Sequence, residues 1–106
     1  MMLSSSSYIA GKKIVKTISV VRGNTIRASN IGRDIIAVFK NMLGGEIEEY
    51  TKLFAESREQ ALDRMIEQAR GLGANAVTDV RFSTSYIMNN ASEILVYGTA
   101  VIVEDE

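Results

Sequence analysis

The alternation of apolar and polar residues predicts β-structure at both ends of the chain. Residues 12–22 are rich in β-branched residues, which favours a strand, and Gly23-Asn24 predicts a turn after it. A short second strand or connection is expected at residues 25–29. Near the C-terminus, residues 75–86 and 92–103 predict two further strands, with a Met88-Asn89-Asn90 loop between them.

The middle of the chain predicts two helices. Asn30 is a suitable N-cap for a first helix at residues 31–43, which Gly44-Gly45 ends. A longer helix is expected over residues 46–72, because apolar residues recur there at helical spacing and acids fill its first turn. Its apolar stripe consists of Ile47, Tyr50, Phe54, Ala61, Met65, Ala69 and Leu72.

These elements predict an α+β fold in the order β-α-α-β-β, with a sheet packed against two helices. The length of 106 residues predicts a single domain over residues 1–106, in which residues 1–10 form a flexible leader. Residues 92–103 are apolar on both faces, which is typical of a strand covered on both sides. Two helices can hardly cover both faces of the sheet, so a second copy of the chain is the expected second cover.

Charge is divided unevenly along the chain. Residues 1–45 hold seven Lys or Arg against the single acid Asp34, whereas residues 46–106 hold five Lys or Arg against twelve Asp or Glu. The two halves nearly cancel, to a net charge of −1. This division favours contacts between basic and acidic surfaces, within one molecule or between copies.

Composition excludes several kinds of chemistry. The chain contains neither Cys nor His, which rules out disulfides, thiolate nucleophiles, a Ser-His-Asp triad, a Cys-His pair and metal sites built on those side chains. No cofactor is expected. No segment resembles a membrane span or a secretory signal, so the expected location is the cytoplasm. No nucleic-acid partner is expected, because the overall charge is balanced and the lysines have no aromatic residues between them on which bases could stack.

Arg58 interrupts the apolar stripe of the longer helix, since helical spacing places it between Phe54 and Met65. A guanidinium buried there needs a partner. One interpretation is that its charged end reaches the solvent, or that it pairs with Asp34 or Asp79. The functional alternative is an anion-binding arginine between helix and sheet.

A second polar cluster, Asn30-Ile31-Gly32-Arg33-Asp34, stands at the start of the first predicted helix. Helix N-termini bind anions through free amides, and Arg33 could assist. Asp34 brings negative charge into the same turn, however, and so helix capping with an interface salt bridge is the favoured interpretation.

Three functional hypotheses follow. The leading one is a non-enzymatic homo-oligomeric scaffold or small-ligand protein that binds an anion near Arg33, Arg58 or Arg81. The second is an enzyme built on carboxylates and arginines, with Asp34 or Asp79 as base. The third is weak binding of a hard metal by the acidic helix face, which comprises Glu49, Glu56, Glu59, Asp63 and Glu67.

The chain resembles the YbjQ-like family from about Gly11 to Val103. The stretches that carry the resemblance are Val21-Arg22-Gly23, Asn30-Ile31-Gly32-Arg33-Asp34, Gly44-Gly45, Gly71-Leu72-Gly73-Ala74-Asn75-Ala76-Val77 and Tyr97-Gly98-Thr99-Ala100-Val101. The resemblance implies an α+β subunit in a ring-shaped homopentamer, with short extra strands that promote assembly, and implies no catalytic residues. The family is sometimes labelled heavy-metal-binding, whereas this chain lacks the soft Cys and His ligands.

Overall fold

The computed structural model describes residues 1–27, 46–88 and 91–106. These residues form an α+β fold with one helix and a mixed four-stranded sheet. The elements are β1 (Met2–Leu3), β2 (Lys12–Arg27), α1 (Glu46–Gly71), β3 (Ala76–Met88) and β4 (Ala91–Asp105). The strand order is β1-β3-β4-β2, in which β1 is parallel to β3 and the other neighbours are antiparallel. The predicted helix at residues 31–43 and the Gly44-Gly45 pair lie outside the described residues.

The long helix is confirmed, and it ends one residue earlier than predicted. Ala61, Met65 and Ala69 of the predicted stripe are fully buried, and Phe54 packs partly buried against the same core. Leu72 is about half exposed, because it follows the end of α1 at Gly71, in the turn that leads into β3.

The main core lies between α1 and one face of the sheet, which is called the helix face below. Each described strand except β1 contributes alternate residues to it, as expected for a sheet with one covered side. The buried members from the strands are Val21, Val77, Ile94, Val96 and Ala100. The opposite side of the sheet is called the open face.

The predicted turn at Gly23-Asn24 is wrong, because β2 runs through both residues as one 16-residue strand. Gly23 serves instead as the point where α1 lies directly on the strand. A Cβ atom at Gly23 would lie 2.0 Å from the carbonyl oxygen of Ala61 and 2.5 Å from the amide nitrogen of Met65. The absence of a side chain therefore sets the distance between the helix and β2.

Side chains of α1 also bond the main chain of β2 beside this contact. The amide of Arg22 donates to Gln68 Oε1 at 2.7 Å, and Arg64 donates to the carbonyl of Asn24 at 2.5 Å. At Ser57, one turn before Ala61 on α1, the carbonyl accepts a hydrogen bond from the Thr25 hydroxyl at 3.2 Å, and both residues are buried. The helix thus satisfies polar groups of an edge strand that would otherwise need water.

The N-terminal segment differs from the predicted flexible leader, because it is hydrogen-bonded to the sheet. Met2 and Leu3 pair with Ala76 and Val77 of β3. Further along, Ile9 packs on a small apolar cluster of Ala76, Val101 and Val103, after which Gly11 turns the chain into β2 with a φ of 78°. Residues 1–10 therefore cover one end of the open face.

The two-sided character predicted for the last strand is confirmed in β4. On the helix face, Ile94, Val96 and Ala100 are buried under α1. On the open face, Val101 and Val103 are buried by the N-terminal segment rather than by a second copy. Tyr97, on the same open face, remains 40% exposed, so that the residues the structure describes cover only part of this side.

Basic and acidic parts of the chain meet within the sheet. The register of β2 against β4 places Lys12 opposite Asp105 and Lys13 opposite Glu104. Lys12 Nζ forms a salt bridge with Asp105. Part of the predicted pairing between the basic and acidic halves is thus intramolecular.

We expect Gly23→Ala to lower the free energy of unfolding by about 1–3 kcal/mol or more, because a methyl group would collide with the backbone of α1. Urea unfolding followed by circular dichroism measures the change. Gly71→Ala is the matched control: a Cβ there meets nothing within 4 Å, and alanine favours the helix by up to about 1 kcal/mol. Equal stability of both variants would contradict the role assigned to Gly23.

Candidate functional site

The predicted site residues do not come together as one cluster among the described residues. Arg33 and Asp34 lie outside them, and so do the ion pairs predicted with Asp34. Arg58 is exposed and forms no hydrogen bond or salt bridge within the described part of the chain, so it is not the buried arginine that the stripe predicted.

The exposure of Arg58 follows from the geometry of the helix. The buried residues Ser57, Ala61, Met65 and Ala69 follow each other at intervals of four, and this contact line drifts about 40° around the helix at each step. Arg58 lies about 100° from Ser57, at the side of that line.

Asp79 lies in an irregularity of β3 that sequence patterns do not reveal. Its φ of 56° is the one positive value at a non-glycine residue among those described. The register of β3 against β4 shifts between Thr78 and Arg81, so that Asp79 and Val80 occupy a β-bulge. Gly98 lies opposite, where a Cβ atom would meet Val77 Cγ1 at 2.7 Å. Asp79 is therefore explained as a bulge residue, a conformation that aspartate tolerates better than most side chains.

A loop formed by Ser4 to Tyr8, called the serine loop below, rests on this bulge. The amides of Asp79 and Val80 donate to the carbonyls of Ser6 and Ser4, both at 3.0 Å. Within the loop, the hydroxyls of Ser4 and Ser6 lie 2.8 Å apart, and each lies within hydrogen-bond distance of the Tyr8 carbonyl. The bulge thus supplies the main-chain donors that hold the N-terminal segment in place.

Arg81, the residue after the bulge, is held by main-chain oxygens. Its Nη1 atom donates to the carbonyl of Ser5 at 2.5 Å and to that of Val80 at 2.9 Å. Its side chain is exposed. Because Nη1 is occupied, Nε and Nη2 are the donors that remain for other partners.

The register of the sheet places Arg81 in a row with two residues that sequence reasoning did not select. Arg22 of β2 and Arg81 of β3 both lie opposite Tyr97 of β4. Residues directly opposite each other in antiparallel strands share a face, with Cβ atoms about 4.5–5.5 Å apart. Arg22, Tyr97 and Arg81 therefore form one row across the open face, called the Arg-Tyr-Arg row below. Along the chain, Arg22 and Arg81 are 59 positions apart, and Arg81 and Tyr97 are 16 positions apart. Only the strand register brings the three residues together.

The surroundings of the row are mixed in charge. One acid, Glu93, lies four residues before Tyr97 on the same face, and its carboxylate accepts a hydrogen bond from Asn24 Nδ2 at 3.0 Å. Within the described residues, no guanidinium of the row forms an ion pair with a carboxylate. The row is thus a positive strip on the open face.

The acidic face of α1 carries exposed carboxylates at residues 56, 59, 63 and 67, while the side chain of Glu49 lies outside the description. Glu67 forms a salt bridge of 2.8 Å with Arg70, three residues further along α1, with both side chains largely exposed. Among the described residues, no group of three or more Asp or Glu is placed to hold a metal ion.

Comparison with known proteins settles the family. A family described as "Putative heavy-metal-binding", with the short name YbjQ_1, matches residues 1–104. The chain belongs to the YbjQ-like family. A UPF0145 protein of Dehalococcoides mccartyi is 54% identical over 104 residues, which cover 98% of this chain and 100% of the relative. A UPF0145 protein of Halorubrum lacusprofundi is 54% identical over 101 residues, covering 95% and 97%, and one of Thermococcus kodakarensis is 49% identical over 105 residues, covering 99% and 93%.

A solved structure supports the fold of this YbjQ-like chain. The crystal structure of a DUF74-family protein from Pediococcus pentosaceus superposes with a TM-score of 0.64 and covers 98% of each chain. The sequence identity is 17%, so the likeness concerns the fold alone.

The heavy-metal description of the family does not fit the donors of this chain. The sequence has no Cys and no His, which are the side chains that soft metals prefer. Of the methionine thioethers, which are also soft ligands, that of Met65 is fully buried in the core between α1 and the sheet, whereas Met1 and Met2 are exposed. In the part of the chain that is described, no helix is long and apolar enough to span a membrane.

The bulge explanation predicts how substitutions at Asp79 behave. We expect Asp79→Asn and Asp79→Gly to stay within about 1 kcal/mol of the parent, because both residues adopt positive φ readily. Asp79→Val should lower the free energy of unfolding by about 1–2 kcal/mol, since a β-branched residue clashes there. Ser83→Val, at an exposed position of the same strand, is the control and should cost little. A large loss in Asp79→Asn would show that the carboxylate itself is needed.

The salt bridge between Lys12 and Asp105 predicts a dependence on pH. Its hydrogen bond and the charge of Lys12 lower the pKa of Asp105 below its ordinary value. The stabilisation is therefore present at neutral pH and is lost as the pH falls through the lowered pKa. In an NMR titration, Lys12→Gln should raise the pKa of Asp105 towards its ordinary value, whereas Lys16→Gln should leave it unchanged. No difference between the two variants would contradict the pairing.

Proposed function

We propose that this YbjQ-like protein is a homo-oligomeric scaffold whose subunits associate along β2. The observation that carries the proposal is the surface of this strand. β2 is a 16-residue strand at the edge of the sheet, and it exposes the aliphatic side chains of Ile14, Val15, Val20 and Ile26. A long edge strand with exposed apolar residues favours association with another chain.

Charge supports a contact between two different surfaces. Lys16 is exposed on β2, and its side chain forms no salt bridge within the described residues. The outer side of α1 presents an excess of exposed carboxylates. A contact of β2 in one copy with α1 in the next is heterologous, and such contacts close into rings when the rotation between copies permits. The number of five subunits comes from the family resemblance.

The other functions considered from sequence have less support. Arg58 lies exposed at the side of the helix rather than in a pocket, and Asp79 is accounted for by the bulge. Neither residue provides a reason to prefer an enzyme. The acidic face of α1 is better used as an electrostatic docking surface than as a metal site.

We expect sedimentation velocity at micromolar concentration to give a mass several times that of the 11.6 kDa chain. The double variant Val20→Ser/Ile26→Ser should sediment as a monomer, because it removes two exposed apolar side chains from β2. Tyr86→Ser is the matched control, since Tyr86 is 91% exposed on β3, and it should remain assembled.

Charge reversal tests the proposed partner surface. Lys16→Glu should weaken assembly, and a further Asp63→Lys should restore it if β2 meets α1 of a neighbour. Raised salt should weaken the parent assembly as well. A parent protein that is monomeric at micromolar concentration would overturn the proposal.

A further inference from the structure

We propose that the Arg-Tyr-Arg row binds a small anionic ligand that carries a planar aromatic ring, with a mononucleotide as the representative chemistry. The row lies within one chain, so this inference does not depend on the proposed assembly.

The aromatic member is placed for stacking. Tyr97 is 40% exposed on the open face, although its neighbours along β4 on the helix face, Val96 and Gly98, are buried. At this exposure the ring is presented to the solvent rather than enclosed. Exposed aromatic rings on sheets are surfaces on which a nucleobase can stack, with a typical contribution of about 1–3 kcal/mol per base.

The two arginines supply charge on either side of the ring. Arg22 is exposed, and its guanidinium forms no hydrogen bond or salt bridge with the residues described, which leaves its forked donors available for a phosphate. Neighbouring strands lie about 4.8 Å apart, so a ligand stacked on the central strand can reach the arginine of either neighbour.

Arg81 is already positioned. Its bonds to the carbonyls of Ser5 and Val80 fix the guanidinium beside the serine loop. A side chain that is held before the ligand arrives loses less conformational freedom on binding. The arrangement thus joins a ring for stacking, one available guanidinium and one fixed guanidinium.

The choice of a small ligand over a nucleic-acid strand follows from the size and charge of the row. It offers one aromatic ring and two cations, with Glu93 on the same face. Strand-binding surfaces combine several aromatic rings with a continuous basic groove. One base and one phosphate match what the row provides.

Isothermal titration calorimetry with AMP, adenosine, inorganic phosphate and a short single-stranded oligonucleotide tests the inference. AMP should bind with a Kd of about 1 mM or tighter, and more tightly than adenosine or phosphate alone. In NMR spectra, AMP should shift the ring signals of Tyr97 and the side-chain signals of Arg22. No binding of AMP, or equal binding of adenosine, would overturn the proposal. If the affinity for the oligonucleotide, counted per nucleotide, is far higher than the affinity for AMP, the choice of a small ligand is overturned.

Variants assign the binding to the row. Tyr97→Leu should raise the Kd for AMP at least about fivefold, whereas Tyr97→Phe should preserve it, because stacking needs the ring and not the hydroxyl. Arg22→Gln should raise the Kd for AMP and leave that for adenosine unchanged.

Matched controls are available elsewhere on the surface. Tyr86→Leu removes an exposed tyrosine outside the row, and Arg70→Gln removes an exposed arginine of α1, so both should bind AMP like the parent. Thermal unfolding verifies that each variant is folded. If Tyr97→Leu does not fold, the AMP affinity of Arg22→Gln decides whether the row binds AMP. Sedimentation of the same samples separates loss of binding from loss of assembly. Equal AMP binding by Tyr97→Leu and Tyr86→Leu would overturn the assignment.

Discussion

The contact between the backbone of α1 and Gly23 of β2 determines the arrangement of the rest of the sheet. At this point the helix approaches an edge strand so closely that no side chain fits between them. Gln68 and Arg64 then bond the main chain of β2 on either side of the contact. One long strand is thereby held from two directions, by its hydrogen bonds with β4 and by the helix. The open face is the surface that this packing leaves uncovered.

The open face is divided into two regions with different physical character. At one end, Ile9 closes a small apolar cluster, and the serine loop is anchored to the bulge of β3. In the middle, the Arg-Tyr-Arg row stays accessible, and the exposed aliphatic residues of β2 flank Arg22 on either side along the strand. A neighbouring copy along β2 would therefore border the row. Assembly and ligand binding would meet at this boundary, which would couple the two processes energetically.

Sequence patterns predicted the elements whose signal is local. The helix over residues 46–71 follows from apolar spacing, and the two-faced character of β4 follows from simple alternation. Gly23 was misread because glycine is common both in turns and where backbones approach closely, and only the helix above it distinguishes the two cases. The N-terminal segment is attached through main-chain bonds to β3 and through Ile9, and its run of serines gives no alternating pattern that would reveal this.

The candidate site was predicted least well, because it depends on strand register. Arg81 was selected from sequence, but its row partners come from strands far away along the chain. A bulge at Asp79 shifts β3 by one residue, and without it the residue opposite Tyr97 would differ. Arg58 illustrates the opposite error, since an ideal helical stripe treats the buried face as straight, whereas the contact line on α1 slants around the helix.

The pairing of β2 with β4 has a consequence for how this chain folds. Lys12 meets Asp105 and Arg27 meets Ser92, so the longest strand of the sheet cannot complete its pairing until β4 has left the ribosome. Contacts of such wide sequence separation slow folding, because a large loop must close before they form. During synthesis, the apolar residues of β2 remain without a strand partner for most of the chain's length, and this interval is when aggregation competes with folding.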